Sequence, residues 1–144
     1  MRLTQYTDFS IRVLIYLALN PDRRCTIGEI AQSYGISRNH LMKVVQQLAA
    51  AGYVRSVRGA GGGLKLGRAP EQIRLGELVR EMEPDFGMVE CLRPCNDCVI
   101  TPACAMPTIL QRAADAFLAE LEAHTLADLL PTAQRPRLCH LLQT

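Results

Sequence analysis

Residues 8–19, Asp-Phe-Ser-Ile-Arg-Val-Leu-Ile-Tyr-Leu-Ala-Leu, are apolar on most sides of a helical projection. That pattern predicts a helix buried in a small core. It ends before Asn20-Pro21, because proline pushes the preceding residue out of helical geometry. Thr26, with Glu29 three residues on, has the form of a capping box and predicts a second helix to about Tyr34. Gly35-Ile36 makes a turn. A third helix, capped by Ser37, runs through Ala51, and Gly52 stops it as glycine commonly does. Leu41, Val44, Val45 and Leu48 give this third helix an inward stripe. Ser37, Arg38, Asn39, His40, Lys43 and Gln47 lie on other faces, open to phosphates and base edges. Two short helices joined by a glycine-containing turn, with polar groups at the start of the second, predict a DNA-reading helix-turn-helix.

Residues 53–66 alternate apolar and basic positions on both sides of a glycine tip and read as a β-hairpin wing. Arg55 and Arg58 precede the tip as candidate DNA contacts, and Gly59, Gly61, Gly62 and Gly63 let its backbone approach a phosphate or a narrow groove. A nucleotide-binding glycine loop is excluded, since the tract lacks a Gly-Lys-Ser/Thr ending and opens no helix. Gly67 to Pro70 are a link. A helix follows over 71–82, with Ile73, Leu75, Leu78, Val79 and Met82 on its apolar side. A long helix is expected over 105–124, where Leu110, Ala114, Phe117 and Leu121 form a seam suited to another helix. The expected fold is mainly α with a small β-wing. The expected division is a winged-helix DNA-binding domain over 1–70, then 71–144 with a cysteine loop at 88–104 and a dimerisation helix at 105–130.

Charge sharpens this picture. The net charge of +2 hides ten Lys/Arg against three Asp/Glu in residues 1–68, and six against eleven in residues 69–144. A basic half predicts a polyanionic partner. At 144 residues and 49% hydrophobic the chain supports a real core. No apolar run is long enough to span a membrane, and the start does not resemble an export leader. The expected compartment is the cytoplasm.

Four of the six cysteines fall within fourteen residues as Cys91-x3-Cys95-x2-Cys98-x5-Cys104, in a loop broken by Pro94, Pro102 and Pro107. Thiolates select zinc, copper(I) or iron–sulfur clusters. In a reducing compartment such a cluster of thiols points to a metal rather than to disulfide staples. Cys25 and Cys139 stand apart and read as small buried hydrophobes. His124 and His140 have no ligand spacing with the cysteines. The Cys95-Asn-Asp-Cys98 spacing lacks the βαβ surroundings of a thioredoxin-like redox motif. No Ser-His-Asp or paired-carboxylate setting supports catalysis, so an enzyme is not expected.

The opening Met-Arg-Leu-Thr-x-Tyr-Thr-Asp-Phe, the Ser37-Arg38-Asn39-His40-Leu41 segment and Val57-Arg58-Gly59-x-Gly-Gly-Gly-Leu resemble the Rrf2 family of bacterial winged-helix regulators. Cys98-Val-Ile-Thr-Pro-Ala-Cys104, Phe117-Leu-x-x-Leu and Thr125-Leu-Ala-Asp-Leu are similar to that family's nitric-oxide-sensing repressors. The resemblance implies a homodimeric repressor of operator DNA with an iron–sulfur cluster in each subunit, most closely 4Fe-4S with 2Fe-2S as the alternative. It implies release of DNA when the cluster is nitrosylated or lost. It also implies three cysteine ligands, matched by Cys91, Cys98 and Cys104, and a fourth ligand from the partner's first helix, matched by Asp8. The family's iron–sulfur-supply branch carries a histidine just after the last cysteine, whereas Ala105-Met106-Pro107-Thr108 has none. The chain departs from the family in its fourth loop cysteine, Cys95, which is either a spare thiol or an alternative ligand to Asp8 or Cys98. Asp8 is also a carboxylate in the first turn of a helix, within reach of Arg12. The competing functions are a regulator of iron supply or redox stress, an electron carrier, and a zinc-stabilised DNA-binding module.

Overall fold

A computed structural model of the chain describes residues 2–57, 59 and 61–144. Its first helix, α1, is Gln5–Leu19 and starts earlier than the apolar pattern predicts. The reason is Thr4, whose hydroxyl accepts from the Thr7 amide at 3.3 Å and caps the helix ahead of its hydrophobic run. Val13, Leu14, Tyr16, Leu17, Ala18 and Leu19 are all buried, so α1 is the central strut on which the rest packs.

The next helix, α2, is Ile27–Tyr34 and carries the expected capping box. Thr26 Oγ1 accepts from the Glu29 amide at 3.2 Å, and Glu29 Oε2 accepts from the Thr26 amide at 2.6 Å. Gly35 closes it in the left-handed region, at φ 64°. The third helix, α3, is Arg38–Ala50, with Leu41, Val44, Val45 and Leu48 buried. Ser37 occupies the position before its first turn, but its hydroxyl makes no capping bond.

The wing is a two-stranded antiparallel sheet, β1 (Val54–Val57) against β2 (Gly63–Leu66), with Val54 opposite Leu66 and Arg55 opposite Lys65. A third segment joins it. Cys25 exchanges both backbone hydrogen bonds with Leu64, at 3.0 and 2.7 Å. The expected helix over 71–82 is broken. Pro70–Gln72 form a single 3-10 turn and only Leu75–Met82, α4, is helical. Arg74 instead pairs with Thr125: the Leu126 amide donates to the Ile73 carbonyl, and the Leu75 amide to His124. This long-range bridge satisfies backbone groups that a longer helix would have bonded locally.

The last two helices are α5 (Met106–Glu122) and α6 (Arg135–Leu142). Ala114 and Leu118 of α5 are buried, where the helix packs on α4. Arg80 and Glu122 join the two helices through a 2.9 Å ion pair. Leu126, Leu130 and Leu142 enter the same hydrophobic cluster as α1, α3 and the wing, so the core runs without a break across residue 70.

Candidate functional site

Ser37, Arg38, Asn39, His40, Lys43 and Gln47 are all exposed on α3 or at its start. Asn39, Lys43 and Gln46 recur at steps of four and three and form the outward ridge opposite the buried stripe. Gln47 sits toward one edge, where its amide donates to the Glu81 carbonyl at 3.3 Å. From the other side, the Tyr6 hydroxyl donates to the Lys43 carbonyl at 2.8 Å. The candidate reading helix α3 is therefore held by α1 and by the end of α4. Nothing in the hydrophobic pattern points to Tyr6, because a single hydroxyl–carbonyl bond leaves no periodic signal.

Arg55 is exposed on the wing, across the sheet from Lys65. Arg58 lies outside the described residues. At the tip, Gly59 and Gly61 have φ 98° and 74°, with open space where a Cβ would stand. The Gly62 amide closes the turn on the Gly59 carbonyl at 2.9 Å. Gly63 is different. A Cβ there would come within 3.0 Å of Arg24 Cβ and of the Cys25 carbonyl, so this glycine permits close packing inside the chain. Arg24 donates to the Gly61 carbonyl at 2.8 Å and Lys65 to the Pro21 carbonyl at 3.2 Å. These two cations tie the wing to the turn between α1 and α2. The sequence signal for them is only a basic residue next to a proline turn.

The second candidate site is the loop between α4 and α5. Cys91 sits in the short 3-10 turn Glu90–Leu92, and Cys104 ends another at Thr101–Ala103. Local polar bonds shape the loop. Glu90 Oε1 accepts from the Asp97 amide at 2.8 Å, Asn96 Oδ1 from the Cys98 amide at 3.0 Å, and Thr101 Oγ1 from the Asn96 side-chain amide at 2.9 Å. The Met106 amide, at the start of α5, donates to Cys104 Sγ at 3.4 Å. Cys95 is exposed, whereas Cys91, Cys98 and Cys104 are half-buried, and all four are free thiols. Among the described residues, no three histidine, cysteine, aspartate or glutamate side chains are assembled to hold a metal ion. The loop thus carries soft thiol donors, with Cys91 and Cys104 on separate 3-10 turns.

Asp8 lies in the first turn of α1 and pairs with Arg12 at 2.8 Å, both side chains more than 40% exposed. An exposed pair of this kind contributes about 0–1 kcal/mol, so either member is cheap to redirect. Arg12 also lies 5.7 Å from the centre of the Tyr34 ring. The starts of α1 and of the loop are joined directly, since the Thr4 amide donates to Glu83 Oε1 at 2.7 Å. Of the isolated cysteines, Cys25 is fully buried and its burial pushes the thiol up. Cys139 is partly buried against the same core. His124 lies between Glu120 and Asp128 at 3.4 and 3.7 Å, away from the cysteines.

A family model described as Rrf2, an iron-dependent transcriptional regulator, matches residues 3–132. The chain belongs to the Rrf2 family. It is 50% identical over 132 residues to the HTH-type transcriptional regulator NsrR of Bacillus subtilis, covering 90% of each chain. It is 47% identical over 132 residues to NsrR of Bacillus licheniformis, covering 90% of this chain and 92% of that one. In structure it is similar to a Listeria innocua protein described as a transcriptional regulator. That likeness has a TM-score of 0.74 and 28% identity, and covers 92% of this chain and 88% of the other. As an Rrf2 protein it is a DNA-binding transcription regulator of winged-helix fold and not an enzyme. Among the described residues no helix is long and apolar enough to cross a membrane.

Proposed function

We propose that this Rrf2 protein is a homodimeric, cytoplasmic repressor that binds operator DNA and senses nitric oxide through an iron–sulfur cluster, most closely 4Fe-4S. The observation that carries the proposal is the near-half identity with two NsrR regulators, in a family match whose span takes in Asp8, α3, the wing and all four loop cysteines. The donor set supports it. Cys91, Cys98 and Cys104 would hold the cluster within one subunit, and Asp8 of the partner subunit would complete it after leaving Arg12. When bound, the cluster supplies iron that reacts with nitric oxide, the softer thiolates binding it more firmly than the carboxylate. Cys95, the most exposed of the four thiols, is then spare.

The rest is work for the chain's own residues. Thr4 ties the start of α1 to Glu83 at the head of the loop, and Tyr6, half a turn later, ties α1 to Lys43 in the reading helix. A change at Asp8 therefore has a short bonded route to α3. A signal must favour one state over another to shift DNA binding, and loss of a bond between subunits does so directly.

The surface of α5 supports a dimer. Ala114 and Leu118 are used within the chain, so the seam expected from sequence is partly consumed in packing on α4. Met106 and Ile109 are 51% and 59% exposed, and with Ala113 and Ala116 they form a separate apolar face. Val99 and Ile100 of the loop tip are also exposed. A second copy could cover this face.

Anaerobic purification with absorption spectra and iron and sulfide analysis tests the reading, followed by DNA binding with and without nitric oxide. Cys91→Ser, Cys98→Ser and Cys104→Ser should each abolish iron loading, and Cys95→Ser should spare it. Bound zinc without iron would overturn the sensor assignment, and loss of loading in Cys95→Ser alone would overturn the ligand set.

A further inference from the structure

The exposed large apolar residues fall into groups. Val99, Ile100, Met106 and Ile109 lie on the loop tip and the start of α5, on the face assigned above to a second copy. Leu141 stands alone near the C-terminal end. Met42 and Val57 are the remaining pair, 50% and 41% exposed, one on the reading helix and the other on the wing. Lone apolar residues are common on protein surfaces and usually need no explanation. The placement of Met42 is what sets it apart. It lies beside Asn39, Lys43 and Gln46 on the outer side of α3, while every apolar neighbour on that helix at 41, 44, 45 and 48 faces the core.

A methionine set among lysine, arginine and amide side chains faces a polyanionic partner, and such a partner offers few apolar groups. In the major groove of DNA there is one kind only, the C5 methyl of thymine. Methionine is unbranched and polarisable, so it adapts to a small apolar knob whose position shifts with groove shape. Its neighbours fit the same surroundings. Asn39 and Gln46 carry the amide donor–acceptor pair that matches adenine N6 and N7, and Lys43 reaches phosphate or guanine.

We infer that Met42 is a specificity-determining residue that packs against the C5 methyl of a thymine in each operator half-site. This rests on α3 being the reading helix. It adds a base preference that the polar residues of α3 do not supply.

The test begins with the full-length, cluster-loaded dimer and a random duplex library, from which the preferred duplex is selected under anaerobic conditions. Each thymine of that duplex is then replaced in turn by deoxyuridine, which removes only the C5 methyl. The expected result is one thymine per half-site whose replacement weakens wild-type binding about fourfold, the value for burying one methyl group, and about fifteenfold when both half-sites are changed. Met42→Ala should bind the unmodified duplex more weakly and be indifferent to uridine at that position. The side chain is exposed and alanine is the better helix former, so the variant should fold. Sequence-selective binding in which every uridine replacement affects wild type and Met42→Ala alike would overturn the role of Met42 while leaving the reading helix in place. Failure to enrich any duplex would overturn both.

Discussion

Gly76 and Gly28 occupy the same position, the second residue of a helix, in α4 and α2 respectively. Replacing either with alanine should gain about 0.5 kcal/mol from backbone propensity, somewhat less than the interior-helix value because the first turn is only partly constrained. At Gly28 little opposes that gain, since an added Cβ would meet only Thr26 Oγ1, at 3.8 Å. At Gly76 the Cβ would stand 2.8 Å from the Glu122 amide nitrogen and 2.9 Å from its Cα. A carboxylate can swing aside, but a helix backbone must be pushed back bodily, and overpacking of this kind costs about 1–3 kcal/mol. Clash therefore wins at Gly76, with a net loss of about 1–2 kcal/mol, while Gly28→Ala should be slightly stabilising. Urea unfolding of the two variants checks this: the midpoint should fall by about 0.5–1 M for Gly76→Ala and rise for Gly28→Ala. The double variant Gly76→Ala/Glu122→Ala separates the causes, because removing the carboxylate leaves the backbone contact in place. Recovery of full stability in the double variant, or a stabilised Gly76→Ala, would refute the close approach of α4 and α5.

Tyr6→Phe should cost about 0.5–1 kcal/mol in urea unfolding, the worth of one partly exposed hydrogen bond. It should also narrow the difference in DNA affinity between cluster-loaded and cluster-free protein; an unchanged difference would remove Tyr6 from the route between α1 and α3. In metal-free reduced protein, a thiol reagent should label Cys95 first and leave Cys25 until the chain unfolds, and mass spectrometry of timed aliquots would reveal any early label at Cys25. Burial pushes the phenols of Tyr34 and Tyr53 up to about 12. The unfolded chain loses those protons first, so stability should hold below pH 10 and fall as pH rises from 10 towards 12. Tyr34→Phe should make that fall shallower, and urea midpoints across the alkaline range would show whether it does.

The helix-turn-helix was legible because each of its signals is local. Thr26 and Glu29 cap α2, Gly35 turns the chain, and the stripe at 41, 44, 45 and 48 is buried as its spacing requires. Long-range contacts explain the misses. The pairing of Arg74 with Thr125 cuts short a helix that the apolar pattern at 73–82 would extend, and no local rule anticipates a partner so far along the chain. On α5 the pattern of apolar residues is wide enough for two faces, and sequence could not tell which would meet α4. Ser37 looks like a cap in sequence, yet its hydroxyl makes no such bond. The loop cysteines were legible as a donor set, whereas the proposed cluster would draw on a second chain that local spacing does not encode.

The bridge between Cys25 and Leu64 has a consequence for how such a protein can change its mind about DNA. With Arg24 holding Gly61 and Lys65 holding Pro21, the wing is fastened to the turn that leads into α2. Because α3 packs on both α2 and β1, α3 and the wing then travel together, like the two tips of a fixed calliper. In the proposed dimer, a signal arriving through α1 would move one calliper relative to the other, with little purchase on the gap between the tips. On that proposal the sequence recognised within a half-site should be the same in every state of the protein, and the signal would alter the distance at which two half-sites can be grasped at once.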